Sequence, residues 1–506
     1  METITLRHAI RSVASRHPDR PAIIVEEQRW TYAELDAAID RLAGGLVAFG
    51  IKPGDRVALH FTNGIDVVVG YHACFRAGVI AVPLNTRMKG PELQYVLNHS
   101  GARLYLGQPA LFAEIDPVRS GVQSVEGYFL NGEVTAASGV RQLADLSASS
   151  GAPAALPDVD EDAVATILYT SGTTSRPKGV THTVRTLSHM ADHLVQFAEM
   201  ETTEVVGIVV PVCHVFGLSM LLAAFAAGST AVMIPRFEPL FVLEQVRRHA
   251  VNIFGGLPVM LNALVHAPGA GAFHFPSLRV CVAGGDAVPT DLQRRFKDTF
   301  DVDVTEGCGM TEAHPFSCNP IGGRGKPGSI GLPAPGATLR LVDPFGRDVP
   351  RGDEGEILVR TTAMMIGYWN DPEATAATIS DGWLRTGDLA RVDEDGYYWF
   401  VGRKKEIIIR GGSNISPLEV EEALYQHPAV REVGVVGAPD ATLGEVVTAF
   451  IALKAAATEE EIKQFLAPRM AAYKIPERIY FVPDLPKGLT GKVQRKALKE
   501  LAARSV

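Results

Sequence analysis

The stretch Tyr169-Thr-Ser-Gly-Thr-Thr-Ser-Arg-Pro-Lys-Gly-Val-Thr-His-Thr183 gathers hydroxyls, small residues and a single lysine. It follows the apolar run Ala163-Val-Ala-Thr-Ile-Leu168, which reads as a buried strand, so these groups emerge where that strand ends. Such a loop suits phosphate, because backbone N–H groups and hydroxyls can wrap several oxygens where no bulky side chain intervenes. Lys178 adds a compact, mobile positive charge. The spacing is not that of a Walker loop, since Gly179 follows Lys178 and no Ser or Thr comes next to hold a metal. The plain alternative is a polar surface turn.

Other candidate groups stand at the ends of strand-like runs. Val205-Val-Gly-Ile-Val-Val210 leads to His214, Arg279-Val-Cys-Val-Ala283 to Gly284-Gly285-Asp286, and Val302-Asp-Val-Thr305 to Glu306-Gly-Cys-Gly-Met-Thr-Glu312. Open α/β sheets place ligands at the carboxyl ends of their strands, so these segments are expected to meet in one crevice. Glycines there permit close backbone approach, while Thr311 and Glu312 offer a hydroxyl for phosphate and a hard oxygen for Mg²⁺. Alone, His214 is more often a core histidine, Thr-Glu a helix N-cap and Asp286 a helix cap. In Asp381-Gly-Trp-Leu-Arg-Thr-Gly-Asp388 a carboxylate follows a tight turn, and a carboxylate can accept two hydrogen bonds from a ribose diol. Lys492, in Pro486-Lys-Gly-Leu-Thr-Gly-Lys492, sits on a glycine-flanked loop ahead of a short basic helix, where a lysine is usually just solvated.

The elements that must hold these groups alternate. Thr31-Tyr-Ala-Glu34 is a capping box opening a helix that Gly50 ends, with Leu35, Ile39, Leu42 and Leu46 on one face. Strands at 56–60, 79–82 and 103–106 alternate with helical segments near 65–77 and 89–99, the pattern of a parallel α/β sheet. Ala136–Pro157, rich in Ala, Ser and Pro, reads as a loop or linker. Around Tyr397–Arg403 the character of the chain shifts, which sets a boundary between residues 1–402 and 403–506. The second part reads as α+β, with Ser416-Pro-Leu-Glu419 and Thr458-Glu-Glu-Glu461 opening helices between strands near 432–436, 447–453 and 478–482.

With 506 residues the chain is too long for one core. A net charge of -9 with no basic run gives no electrostatic footprint for nucleic acid and weighs against a polyanionic partner larger than a nucleotide. Five cysteines without metal-ligand spacing read as reduced thiols, and the N-terminus has no apolar leader, so the expected location is cytoplasmic. Val205–Pro235 lacks Asp, Glu, Lys and Arg, yet Pro211, His214, Gly217 and Gly228 divide it into pieces too short to span a bilayer; it reads as strand, loop, buried helix, strand, with no membrane insertion.

Taken in order, the loop with Lys178, His214, Gly-Met-Thr-Glu312, Arg-Thr-Gly-Asp388, Gly402-Arg403, Gly411-Gly412 and Thr-Gly-Lys492 resemble the adenylate-forming superfamily of acyl-CoA synthetases, peptide-synthetase adenylation domains and beetle luciferases. The resemblance covers essentially the whole chain. It implies a large N-terminal α/β domain of stacked, mostly parallel sheets with helices, a small mobile α+β C-terminal domain, and a two-step reaction. A carboxylate first attacks the α-phosphate of ATP to give acyl-adenylate and pyrophosphate, and a thiol then attacks the adenylate. The first step brings two anions together, so it needs charge neutralisation and alignment. By the resemblance, Thr170, Ser171, Gly172, Thr173, Thr174 and Lys178 would hold the departing phosphates, Thr311 the α-phosphate and Glu312 the Mg²⁺. Asp388 and Arg403 would grip the ribose. Gly285, Glu306, Gly307, Cys308, Gly309 and Met310 would border the nucleotide, and Lys492 would reach carboxylate and α-phosphate. Lys405 matches a hinge, and Gly411 and Gly412 a loop flanking the pantetheine tunnel of coenzyme A. Two positions depart from the family. Cys308 stands where an aromatic residue commonly stacks on adenine, and Ser175 replaces a usual glycine.

Cys213-His214-Val215-Phe216 lacks the aspartate with which amino-acid adenylating domains hold an ammonium, so the expected substrate is a carboxylic acid without an α-amine. His214, Phe216, Gly284, Gly285, Gly307, Gly309 and Met310 would line the acyl pocket, which points to a hydrophobic acid, fatty or aryl. The leading reading is an acid–CoA ligase using ATP, Mg²⁺ and coenzyme A. The alternatives are an acyl-AMP ligase loading a separate carrier protein and a catalytically silent nucleotide binder. The oligomeric state stays open, with a homodimer as the candidate assembly.

Overall fold

In the computed structural model, residues 5–132, 139–148, 156–170, 176–322, 325–440, 442–488 and 491–504 are described. Two large sheets carry the first part of the chain. One runs Gly367–Tyr368, Lys178–Thr183, Val164–Thr170, Ile80–Pro83, Arg56–His60, Leu104–Gly107, Gly127–Leu130, Val140–Gln142. It is parallel except where Val164–Thr170 and Lys178–Thr183 form a hairpin with Gly367–Tyr368 beside it. The other runs Leu332–Pro333, Ala313–Cys318, Val304–Met310, Val280–Ala283, Ile253–Gly256, Val205–Ile208, Thr230–Met233, Pro21–Val25, Gln28–Thr31. Its central strands are parallel, so the segments after Ile208, Gly256, Ala283 and Met310 leave by neighbouring carboxyl ends.

Helices between the sheets close one continuous core reaching from Leu6 to Tyr398. Helix Val215–Ala227 is apolar on every side and is buried from Val215 through Phe225, as expected for a helix with no solvent face. Among the described residues no helix is long and apolar enough to cross a membrane. The capping box at Thr31 forms as expected, and helix Tyr32–Phe49 stops at Gly50 with φ 96°. A third, antiparallel sheet built on Gly355–Thr361 and Trp383–Val392 ends at strand Tyr398–Arg403. The last sheet begins at Ile408, carries its own apolar clusters around Val435 and Val436, and has helices opened by Ser416 and Thr458.

Three local expectations are corrected. Within Ala136–Pro157 the described residues include strand Val140–Gln142 and helix Leu143–Ala148, because Leu143 and Leu146 are buried against helix Tyr32–Phe49. The Leu146 carbonyl oxygen lies 2.0 Å from where a Cβ on Gly45 would sit, so only a bare Cα admits this contact. Glu306–Met310 is strand, not loop: Val304–Glu306 pairs in parallel with Cys281–Ala283, and the strand continues into an antiparallel hairpin with Ala313–Cys318. Thr311-Glu312 is therefore a hairpin turn and not a helix cap. Asp388 lies within strand Trp383–Val392 and, as expected, follows a tight turn, at Asp381 and Gly382 with φ 52° and 73°.

Candidate active site

The hairpin strands Val164–Thr170 and Lys178–Thr183 place Thr170 directly opposite Lys178 at the root of the loop. Ser171, Gly172, Thr173, Thr174 and Ser175 lie outside the described residues. Lys178 extends its ammonium over the ring of Tyr368, 4.7 Å from the centroid. The Tyr368 hydroxyl donates to Glu312 Oε1 at 2.7 Å, and the Met365 N–H donates to the Glu312 carbonyl at 2.7 Å. His182 Nε2 meets the Thr311 carbonyl oxygen at 2.8 Å; a carbonyl only accepts, so this nitrogen carries the proton. Burial holds His182 neutral by lowering it to about 4. The Thr311-Glu312 turn of one sheet is thus fastened to the phosphate-loop hairpin of the other.

His214 is fixed by a second polar clamp. The Asn63 amide donates to the carbonyls of Ile208 and Val210 at 3.2 and 3.1 Å, its oxygen accepts from the Val212 N–H at 3.0 Å, and the Tyr71 hydroxyl donates to the Val212 carbonyl at 2.7 Å. These bonds set the bend from strand Val205–Ile208 into helix Val215–Ala227. Asn85 Nδ2 lies 3.0 Å from His214 Nε2. Burial, then the charges of Lys492 and Arg87, lower His214 to about 4. Its Nε2 therefore accepts from the Asn85 amide, and the imidazole acts as a neutral wall rather than a cation.

Asp388 and Arg403 are register partners on adjacent strands, with Nε 3.4 Å from Oδ1. Burial pushes Asp388 up to about 6, offset in part by the Arg403 charge. Cys308 is close enough to both to feel their charges, and burial pushes its thiol up. Glu306 is turned toward helix Thr290–Phe300, where Gln293 Nε2 donates to its Oε2 at 3.3 Å; burial raises it to about 8, so it is neutral at pH 7. Asp286 caps no helix: it is exposed, accepts from the Ala287 N–H at 3.0 Å, and its charge is felt at Arg403 and Arg495.

Lys492 arrives from the last module on a braced loop. Gly488 N–H donates to the Lys492 carbonyl at 2.8 Å, and Gln494 N–H to the Pro486 carbonyl at 2.8 Å. Arg495, three residues on, makes paired bonds of 2.6 and 2.8 Å to the Glu421 carboxylate and one of 2.7 Å to the Val435 carbonyl. The loop tip meets the first part of the chain: a Cβ on Gly491 would lie 3.4 Å from Val259 Cγ1. Helix Pro417–Tyr425 docks nearby, its Glu422 accepting from the Thr290 N–H at 3.1 Å. Lys492 is thereby near enough to influence both His214 and Asp388.

Gly411 and Gly412 stand apart from this group. They form the two-residue turn between Ile408–Arg410 and Ser413–Ile415, with φ 55° and 84°, the left-handed pair such a hairpin demands. Both are exposed, and nothing lies within 4 Å of where a Cβ on Gly412 would be. Gly285 is likewise exposed, with φ 86°. Around Phe216, one of the acyl-pocket candidates, the packing is tight: a Cβ on Gly255 would lie 2.4 Å from Met220 Sδ and 3.1 Å from Phe216 Cζ. Tyr368, Asn85, Asn63 and Arg495 were not among the residues singled out by type and spacing. His182 was within the quoted loop, where its alternation with Thr181 and Thr183 was the available signal of a strand face.

A two-sheet body, a polar crevice at the carboxyl ends and a lysine delivered by a second module define the class. Residues 10–369 match the AMP-binding enzyme family model and 419–492 that of the AMP-binding enzyme C-terminal domain. The chain belongs to this family of adenylate-forming enzymes. It is 33% identical to the long-chain-fatty-acid–CoA ligase of Bacillus subtilis, covering 98% of this chain and 94% of that one. It is 36% identical to a feruloyl-CoA synthase of Amycolatopsis, covering 92% of each. Among solved structures, an anthranilate CoA ligase with anthranoyl-AMP superposes with a TM-score of 0.93 at 29% identity, covering 99% and 98% of the two chains.

Proposed function

We propose that this chain is an AMP-forming acid–CoA ligase for a carboxylic acid with a largely apolar body. The acid's carboxylate oxygen bonds to the α-phosphorus of ATP as the bond to pyrophosphate breaks; the thiol of coenzyme A then bonds to the acyl carbon as AMP leaves. The observation that supports the reading is that Lys492, contributed by the C-terminal module, lies near enough for its charge to bear on both His214 and Asp388, with Asp388 paired to Arg403.

In the first step Lys492 lies between two anions and offsets their repulsion, while neutral His214 leaves its field undiluted by a second cation. Asp388 accepts from the ribose hydroxyls and Arg403 holds that carboxylate. Thr170 and Lys178, with the loop they root, receive the departing phosphates. Glu312 fits a magnesium site: it is a hard oxygen ligand whose Oε1 is oriented by Tyr368, the residue over whose ring Lys178 lies. Magnesium there would neutralise phosphate charge. Among the described residues no three metal-ligating side chains gather, so its other ligands would be phosphate oxygens and water.

The working units are residues 1–402 and 403–506, with Lys405 in the link that turns. Rotation there would withdraw Lys492 and bring the Gly411-Gly412 turn toward the crevice for the thiol step. The described cysteines are all unpaired, which supports a reducing, cytoplasmic setting. The test is direct: the purified chain with ATP, Mg²⁺ and a panel of acids should release pyrophosphate only when an acid is present, and should form a thioester once coenzyme A is added. No acid-dependent pyrophosphate would sink the reading. Pyrophosphate without a coenzyme A thioester would assign the acyl group to a carrier protein instead.

A further inference from the structure

The acyl wall of this chain carries one polar side chain that the protein itself leaves unsatisfied. His314 stands on strand Ala313–Cys318, two residues beyond Glu312, and is half-buried. Its ring lies on the bare Cα of Gly309 in the partner strand, with Nδ1 2.2 Å from where a Cβ would be, so any larger residue at 309 would evict the imidazole. Its other aromatic neighbour is Phe216, with ring centroids 6.0 Å apart at 49°. Phe216 and Met220 are the side chains that fill the space over Gly255. The imidazole is thus built into the same wall as the apolar residues that surround the acyl group.

Neither ring nitrogen has a hydrogen-bond partner among the described residues. Nδ1 is enclosed and makes no hydrogen bond, whereas Nε2 is not enclosed. An N–H at Nδ1 would be driven against the Gly309 C–H with nothing to accept it, while a lone pair there rests on that C–H without penalty. The proton therefore belongs on Nε2, the accessible nitrogen on the ring edge away from the Gly309 contact, in a ring that neighbours Phe216. Donors of this kind are rarely left unmet, and a hydrocarbon cannot meet one.

We propose that the acid activated here bears an oxygen acceptor on its body, a hydroxyl, ether or keto oxygen remote from the carboxylate, and that His314 Nε2–H donates to it. This rests on the ligase reading and sharpens its substrate class: an oxygenated acid in an otherwise apolar pocket, not a plain hydrocarbon chain. A pocket that commits a donor discriminates against the analogue lacking the acceptor, because binding then displaces the water that met the donor and leaves it unpaired.

The experiment compares acids matched in size, one carrying oxygen where the other carries a methyl or methylene, by kcat/KM in pyrophosphate release. At least one pair should show an oxygen preference on the order of ten-fold or more in the unaltered chain. His314→Phe should abolish that preference, with an unchanged circular dichroism spectrum and thermal midpoint reporting that the variant is folded. His314→Gln, whose amide N–H reaches about as far as Nε2–H, should restore part of it. An oxygen preference that survives His314→Phe, or turnover of the panel with no oxygen preference in any pair, would overturn the proposal while leaving the ligase reading intact. No acid-dependent pyrophosphate with any acid would defeat the ligase reading and this proposal with it.

Discussion

Arg495 never needs to touch substrate to matter, because it is the residue that stiffens the base of the Lys492 loop. Its side chain is 16% exposed and that of Glu421 9%, and Glu406 lies 3.1 Å from its Nε on the other side. Burial pushes Glu421 up, and the charge and hydrogen bonds of Arg495 oppose that push. Removing one partner of such a pair costs roughly 3–5 kcal/mol, since the other is left charged in a dry site, whereas removing both costs far less. Arg495→Met should therefore destabilise the C-terminal module by about that amount in urea unfolding, and should lower adenylation kcat/KM at least ten-fold as the loop loosens. Glu421→Gln combined with Arg495→Met should recover most of the lost stability, because Gln still accepts from the Val435 N–H that Glu421 bonds at 2.7 Å. The reasoning is refuted if the single variant is as stable as the parent, or if the second substitution adds to the loss.

Tyr368→Phe removes the donor to Glu312 but keeps the ring beneath Lys178; one charge-assisted hydrogen bond is worth about 1.5–3 kcal/mol, so kcat/KM for ATP should fall roughly ten- to a hundred-fold. An unchanged value would remove Tyr368 from the site. Buried histidines predict acid lability. Burial lowers His60 to about 4 and His72 to about 3, against 6.5 for the free side chain. The unfolded chain thus binds protons that the folded one refuses, and the stability is full above pH 6.5 and is lost as pH falls toward 4. The slope should reach about 1.4 kcal/mol per pH unit for each such group. Urea midpoints between pH 7.5 and 5.5 should fall accordingly. His72→Leu should reduce the slope, because its buried ring packs against Phe75 and Phe225 and its Nε2 has no hydrogen-bond partner. A pH-independent midpoint would contradict the assignment.

Much of the frame was legible because local chemistry and tertiary packing agree. The capping boxes at Thr31 and Thr458, the helix at 65–77 and the alternation of strands around it are read from spacing alone and recur as Tyr32–Phe49, Glu459–Leu466 and Ile65–Ala77. The hairpin through Gly307 and Gly309 was hidden, since glycine is a poor strand former, and at Gly309 it serves close packing against the His314 ring. Helix Leu143–Ala148 was hidden because two buried leucines among alanines and serines carry almost no periodic signal. At the site, groups that face solvent or ligand were visible as motif residues. The clamps behind them were not: Tyr368 lies 56 residues from Glu312 and Asn85 129 from His214, and no local pattern announces a partner at that distance.

The central claim is that one lysine serves the first half-reaction from a module that must withdraw for the second. Lys492→Ala, assayed separately for acid-dependent pyrophosphate release and for thioester formation from supplied acyl-adenylate and coenzyme A, tests it. The account expects the first to fall by orders of magnitude and the second to stay within a few-fold of the parent. Equal loss in both half-reactions, or full adenylation without the lysine, would contradict it.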